Sequence, residues 1–476
     1  MPEEMTSGAT ITERLDAAIA MLREHGQDHL AEGLDRVDEA GLDAFITQVE
    51  SIDFAEVARL TGGHETAQAP TSIEPAPVVP RHPDDADRHR AEGEALIRDG
   101  GIAAFTVAGG QGTRLGWNGP KGTFPATPIT GKPLFRVFAE QLSAIDARYG
   151  VETPWYLMTS PLNDADTRAF FKDNNWFGRS PESILMFPQG VMPAVDDDGR
   201  LMLEAPGVIA VSPDGHGGSL RALHRSGALE HARRRGVQHL SYFQVDNPTV
   251  RTIDPLFVGL HVGHPDSSGE MSSKMVPKAN AAEKVGVFCS VDGRTQVIEY
   301  SDLPAELAEA TDAAGGLRFN AGSIAIHLIA VDFIERLTGG DAAASLPFHR
   351  ARKKVPYWNP ATGERVEPDA PNATKFEMFV FDALGFVEKG LVYETDRVEE
   401  FAPIKNAEGT DSAATSAALQ TERAARWMEA AGATIPRRPD GSVDGRIEIN
   451  PGTALDARDL AGRELPTMTA GQDLVF

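Results

Sequence analysis

The chain has 476 residues, 41% of them hydrophobic, with 70 acidic residues against 45 basic ones and a formal net charge of −25. That length exceeds one compact core and predicts two or three domains, while the acidic balance disfavours nucleic acid and anionic membranes as partners. One cysteine, Cys289, rules out a disulfide framework and points to a reducing cytoplasm.

The first residues, "MPEEMTSGATITERLD", lack the basic start and apolar core of a signal peptide. No apolar stretch reaches the roughly 18–20 residues that cross a bilayer. From residue 10 to about 61 the pattern is helical: Leu15, Ala18, Ile19 and Leu22 share a face, with Thr12 as the start signal and Gly26 as the stop. Residues 64–84 are proline-rich and read as an extended connector. "IAAFTVA" then begins an alternation of strand and helix. It continues through "LFRVFAEQLSAIDARYG", "TPWYLMTS", "DADTRAFFKDN" and a single helix "SLRALHRSGALEHARRRGV", which feeds "HLSYFQVDNP". Such alternation predicts a mostly parallel α/β sheet with ligands at the carboxyl ends of its strands. Cys289, inside "VGVFCSV", reads as a small core residue. The basic run "RARKK" at 350–354 is either a solvated face or an anion-steering rim. After residue 406 short runs broken by glycine and proline predict a small β-rich module. The expected division is a helical region with its connector at 1–95, a catalytic domain at 96–405 and the β-rich module at 406–476.

The chemistry concentrates in "TVAGGQGTRLGWNGPKG". A P-loop requires Gly-x-x-x-x-Gly-Lys-Ser/Thr, and a dinucleotide turn requires Gly-x-Gly-x-x-Gly; neither spacing occurs here. Glycines directly after a strand let backbone N–H groups approach a polyphosphate. Arg114 adds a forked donor, and Lys121, seven residues on, adds a point charge. Asp246 and Asn247 follow an apolar strand, where a carboxylate faces the ligand crevice; an Asx turn before Pro248 is the plain alternative.

These blocks resemble a family. "AGGQGTRLG…PKG" resembles the signature loop of the sugar nucleotidyltransferases. Further on, "MFPQGVMPAV", "SPDGHGGSLRAL", "YFQVDNPTVRTIDP", "KANAAEKVGVFCSV", "FNAGSIAIHL", "RARKKVPYW", "KFEMFVFD" and "EEFAPIKNAEGTDS" are similar, in order, to the eukaryotic-type UDP-N-acetylhexosamine pyrophosphorylases. The resemblance implies a Rossmann-like, GT-A-like α/β fold with a mixed, mostly parallel sheet. It implies uridylyl transfer from UTP to a sugar 1-phosphate, with Mg²⁺ as cofactor, in a monomer or weak homo-oligomer. It places Ala108, Gly109, Gly110, Gln189, Gly215 and His216 on the nucleotide, and Arg114, Lys121 and Lys405 on the transferring phosphates. Asp246, Gly286, Glu299, Asn320 and Phe379 would serve the sugar, and Asp246 would also hold the metal. One residue departs from the pattern. "PDGHGG" carries His216 where the family shows asparagine, and imidazole is bulkier than an amide and titrates near pH 6.5. N-acetylglucosamine 1-phosphate is the expected acceptor. Glucose 1-phosphate, a broad range of sugar 1-phosphates, and a non-catalytic nucleotide-sugar binder are the alternatives.

Overall fold

The computed structural model describes residues 10–62, 71–340 and 346–476. Near the N-terminus three helices form: α1 (Ile11–Glu24), α2 (Glu39–Ser51) and α3 (Phe54–Thr61). The start of α1 lies at Thr10 rather than Thr12. The Thr10 hydroxyl accepts the Glu13 N–H and the Glu13 carboxylate accepts the Thr10 N–H, closing a capping box that Thr12 has no partner to build.

These helices are not a separate region. Their buried residues, among them Leu22, Phe45, Ile46, Val49 and Val57, share one core with Leu201, Ile209, Trp358 and Phe376. The described residues fall into two compact units. The first joins Gly190–Gly218 and Leu346–Phe379 to the described part of Met1–Ala69; the second comprises the described parts of Pro70–Gln189, Ser219–Ser345 and Val380–Phe476. In the first unit, Gln27 and His29 bond the backbone of Leu201 and Gln48 bonds Ile209 N–H, tying helix to hairpin.

The second unit contains a ten-stranded mixed sheet among the described residues. In chain order its elements are β1 (Ile73–Pro75), helix α4 (Ala86–Arg98), β2 (Ile102–Val107), helix α5 (Leu134–Tyr149), β3 (Trp155–Thr159), helix α6 (Asp164–Asp173) and β4 (Ile184–Pro188). Helices α7 (Gly218–Arg225, beginning one residue before this unit) and α8 (Ala228–Arg234) lead to β5 (His239–Gln244) and helix α9 (Pro255–Gly263). Strands β6 (Met271–Pro277), β7 (Val287–Val291), β8 (Arg294–Ile298), β9 (Ala321–Ala330) and β10 (Leu391–Glu394) follow, then helix α10 (Ala413–Ala430). The main path runs β1-β7-β9-β5-β2-β3-β4, with β6 and β10 joined beyond β9 and β8 beside β7. Strands β5, β2, β3 and β4 pair in parallel, while β9 enters antiparallel.

Three sequence expectations change here. The proline-rich connector supplies edge strand β1 in its described part, pairing Ile73 with Val291. The single helix expected before β5 breaks into α7 and α8, because Gly227 turns left-handed at φ +77°. The C-terminal stretch expected to be β-rich opens with the 18-residue α10 and carries one short parallel pair, Gly445–Glu448 with Gln472–Val475. Cys289 lies within β7 with no exposure, and burial pushes its thiol up to about 12.

Register brings the site edge together. Val107 on β2 faces Gln244 on β5 and Met158 on β3, and Thr159 faces Pro188 on β4. Ala108, Ser160, Gln189 and Val245 therefore leave the sheet along one edge. Because β9 runs antiparallel to β5, its first residues start at that same edge.

Candidate active site

The glycine loop is a closed excursion. Gly110 C=O accepts the Lys121 N–H at 3.0 Å, and Gly119 C=O accepts the Gly112 N–H at 2.9 Å. Gly112 C=O in turn accepts the Leu115 and Trp117 N–H groups. The intervening residues thus fold into a finger with the exposed Arg114 on its short helical turn, and Lys121 returns to the glycines at its base. Gly119 allows the return at φ +143°, which residues with a Cβ rarely adopt.

The segment "GWNG" has a structural role. The Trp117 indole N–H donates to Thr123 Oγ1 at 2.8 Å, and its ring meets Phe124 edge-on at 5.6 Å. A Cβ on Gly112 would fall 2.7 Å from Trp117 Cβ, so the tryptophan closes the finger against that glycine.

Several expected residues converge on this loop. A Cβ on Gly109 would lie 3.0 Å from the Gln189 side-chain nitrogen, so the carboxamide of the buried Gln189 sits directly on the glycine backbone. Lys121 Nζ lies 3.6 Å from Asp246 Oδ2, both side chains largely buried. Asp246 C=O accepts the Ile404 N–H at 2.8 Å, which brings the next residue, Lys405, to the end of β5. There the Lys405 ammonium pairs with Asp411 at 3.6 Å and lies 5.4 Å from the centre of the Phe401 ring. A second group forms where β7, β8 and β9 meet. Gly286 and Glu299 flank the Val287–Ile298 pair, with Glu299 Oε1 3.5 Å from where a Gly286 Cβ would sit. The exposed Asn320 precedes β9, and its C=O accepts the Lys278 N–H.

Gly215, His216 and Phe379 belong to the first unit. Gly215 turns at φ +83°, and a Cβ there would strike Met378 O at 2.4 Å. Gly217 N–H donates to Met378 C=O and Met378 N–H to Asp214 C=O, which lays the Asp214–Gly218 turn along the strand Ala373–Met378, just before Phe379. His216 stacks on Phe379 at 5.3 Å between ring centres, and His349 stacks on the same ring at 4.5 Å. Burial, reinforced by the neighbouring His349, lowers His216 to about 4, so the imidazole is neutral at pH 7. The basic run at 350–354 is partly spent on structure: Arg352 pairs with Asp197 at 2.7 Å and Arg350 donates to Leu60 C=O.

Sequence reasoning reached Asn247 only as part of an Asx turn and passed over Lys274 and its carboxylates. Asn247 Nδ2 donates to Glu400 C=O at 2.6 Å and its Oδ1 accepts the Ala402 N–H, binding the Lys405 arm to the end of β5. Lys274, fully buried, contacts Asp254 and both oxygens of Glu400 at 2.7 Å. Burial pulls the Asp254 carboxyl upward, but Lys274 and Arg251 overrule it and hold the group well below its ordinary value. Asn247 Oδ1 also accepts from Thr249 N–H and hydroxyl, the local Asx turn, but Glu400 and Ala402 are distant in sequence, as are the partners of Lys274, so no local motif announces those contacts.

A metal fits one way. Among the described residues no group of three or more His, Cys, Asp or Glu forms a protein cage. Asp246 alone, with substrate phosphate oxygens, suits Mg²⁺, which commonly takes one or two carboxylates and keeps the rest of its shell for water and phosphate.

Comparison with known proteins identifies the family. A family model described as UTP–glucose-1-phosphate uridylyltransferase matches residues 79–427. UDP-N-acetylglucosamine pyrophosphorylase of Saccharomyces cerevisiae is 37% identical over 351 residues, covering 72% of this chain and 73% of the relative. UDP-N-acetylhexosamine pyrophosphorylase-like protein 1 of Xenopus tropicalis is 36% identical over 409 residues, covering 82% and 79%. The crystal structure of the uridine diphosphate N-acetylglucosamine pyrophosphorylase from Trypanosoma brucei, in complex with an inhibitor, aligns with TM-score 0.80 at 26% identity and covers 96% of this chain and 95% of its own.

Proposed function

The chain belongs to the UTP–glucose-1-phosphate uridylyltransferase family, and from that membership we propose that it makes UDP-N-acetylglucosamine and pyrophosphate from UTP and N-acetylglucosamine 1-phosphate. The acceptor phosphate oxygen attacks the α-phosphorus of UTP. A new oxygen–phosphorus bond forms, the bond to the β-phosphate bridge breaks, and pyrophosphate leaves. A phosphate monoester is already an anionic nucleophile, so the protein's task is to align two polyanions and offset their charge.

The observation that carries this reading is the return of Lys121 to the glycine backbone, 3.6 Å from Asp246. Cation and carboxylate meet at the carboxyl ends of the parallel strands β2 and β5, the place where such folds bind ligands. Lys121 and Arg114 would hold the departing pyrophosphate, and Lys405 would exchange Asp411 for a substrate phosphate. Ala108, Gly109, Gly110 and Gln189 of the second unit would hold the nucleoside. Gly286, Glu299 and Asn320, in the same unit, would receive the sugar. Asp246 would hold Mg²⁺, which supplies charge neutralisation when bound. No described helix is long and apolar enough to cross a membrane, and the buried lone cysteine supports a cytoplasmic enzyme.

Lys121→Ala tests the reading. Sugar-dependent pyrophosphate release should fall by about a hundredfold to a thousandfold with the unfolding transition unchanged. An unaltered rate removes Lys121 from the reaction. A second reading, glucose 1-phosphate as acceptor, draws on His216 in place of the family asparagine. A panel of sugar 1-phosphates separates the two.

A further inference from the structure

Asn163 is fully buried beside the glycine loop, at the start of α6. Its Oδ1 accepts the Ser160 N–H at 2.8 Å. Its Nδ2 donates to Ala108 C=O at 3.0 Å and to Gly110 C=O at 3.3 Å. One carboxamide thus joins the end of β3 to two carbonyls of the loop that follows β2.

Peptide geometry gives those two bonds a directional consequence. In a planar trans peptide, the C=O of one residue and the N–H of the next point to opposite sides. Drawing Ala108 C=O toward Asn163 turns the Gly109 N–H away from it. Drawing Gly110 C=O the same way turns away the Gln111 N–H. Among the described residues, the N–H groups of Gly109, Gly110 and Gln111 donate to no protein acceptor. Successive N–H groups exposed in this manner form a concave donor surface suited to an anion.

We infer that Asn163 is a positioning residue for the phosphate loop: its carboxamide holds two loop carbonyls back and so presents the neighbouring N–H groups to a polyphosphate. The inference rests on the reading of this loop as a phosphate cradle. Asn163 touches no substrate in this role; it acts through Gly109 and Gln111.

Asn163→Asp isolates the donor. It preserves size and the acceptor for Ser160 N–H, but sets a carboxylate oxygen against two carbonyl oxygens. The readouts are affinity for inorganic pyrophosphate and for UTP by calorimetry, together with the melting temperature. The variant should bind both ligands about tenfold to a hundredfold more weakly than the wild type, the loss expected when a pair of hydrogen bonds fails and the loop turns. Relative to the wild type at each pH, that loss should shrink between about pH 8 and about pH 5.5, as the carboxyl gains a proton and regains a donor. A merely structural role predicts a lower melting temperature with affinity intact. Unchanged affinity, or a loss that does not shrink on acidification, overturns the proposal. If the aspartate variant fails to fold, Asn163→Ser replaces it. Serine is too short to span both carbonyls, so weakened pyrophosphate binding supports the clasp and unchanged binding overturns it. Wild-type turnover with UTP and sugar 1-phosphate reads the uridylyl-transfer assignment separately, because pyrophosphate binding needs no acceptor sugar.

Discussion

Gly122, immediately after Lys121, is buried against the face of Phe135. A Cβ at this position would lie 2.1 Å from Phe135 Cζ and 2.2 and 2.4 Å from the two Cε atoms, so Gly122→Ala places a methyl group into the ring. Ordinary contact begins near 3.4 Å, a shortfall of about 1.3 Å. The ring has little room to retreat: Phe135 has no exposure, and Phe171 and Phe170 lie 5.0 and 6.4 Å away, centre to centre. Two responses are open. If the core yields, overpacking costs about 1–3 kcal/mol of stability. If the loop yields instead, Lys121 moves with it, and a displacement of about 1 Å at a reacting group is enough to lose on the order of a hundredfold in rate. Urea unfolding together with kcat/KM for UTP distinguishes the two. Phe135→Leu opens space under the added methyl, so the double variant should recover part of the loss, with a coupling of about 0.5–3 kcal/mol. A Gly122→Ala protein with unchanged stability and unchanged kcat/KM, or strictly additive effects in the double variant, refutes the packing argument.

Two further predictions concern titration and buried charge. The His216 imidazole ionises more weakly in the folded chain, at about 4, than in the unfolded one, where histidine titrates near 6.5. Its contribution to stability is therefore complete above about pH 6.5 and is lost as the pH falls from there toward 4. His216→Asn should flatten that portion of the stability–pH curve and, whatever it does to the rate itself, leave the shape of the pH–rate profile between about pH 7 and pH 8 unaltered; a wild-type profile that loses an inflection in that range on substitution contradicts a neutral His216. Lys274→Met removes the one ammonium that bonds both buried carboxylates, Asp254 and Glu400, leaves Arg251 as the remaining nearby cation, and should cost about 3–5 kcal/mol in chemical denaturation at neutral pH. A loss under about 1 kcal/mol would mean that the pair is replaceable by packing alone.

How much of this was legible depended on the range of the interaction. The apolar run before Ala108, the glycines and the two cations are adjacent in sequence, and β2 with its loop followed from them. The helical face of Leu15, Ala18 and Leu22 was readable for the same reason, whereas its core partners Leu201, Trp358 and Phe376 were not, because periodicity says which face is buried but not against what. The N-terminal helices therefore looked like a region of their own when they share a core with two later insertions. α10 escaped notice because its buried face is built largely of small residues, with Ala424 and Ala425 beside Trp427 and Met428, which dilutes the hydrophobic signal. The clasps formed by Asn163 and Asn247 bond backbone atoms, and a backbone partner leaves no trace in residue identity.

The most direct test is the specificity constant for sugar-dependent pyrophosphate release from UTP, measured side by side with N-acetylglucosamine 1-phosphate and glucose 1-phosphate. The proposed function predicts release that requires the acceptor, with the higher kcat/KM for the N-acetyl sugar. Release favouring glucose 1-phosphate, or none with either sugar, contradicts it.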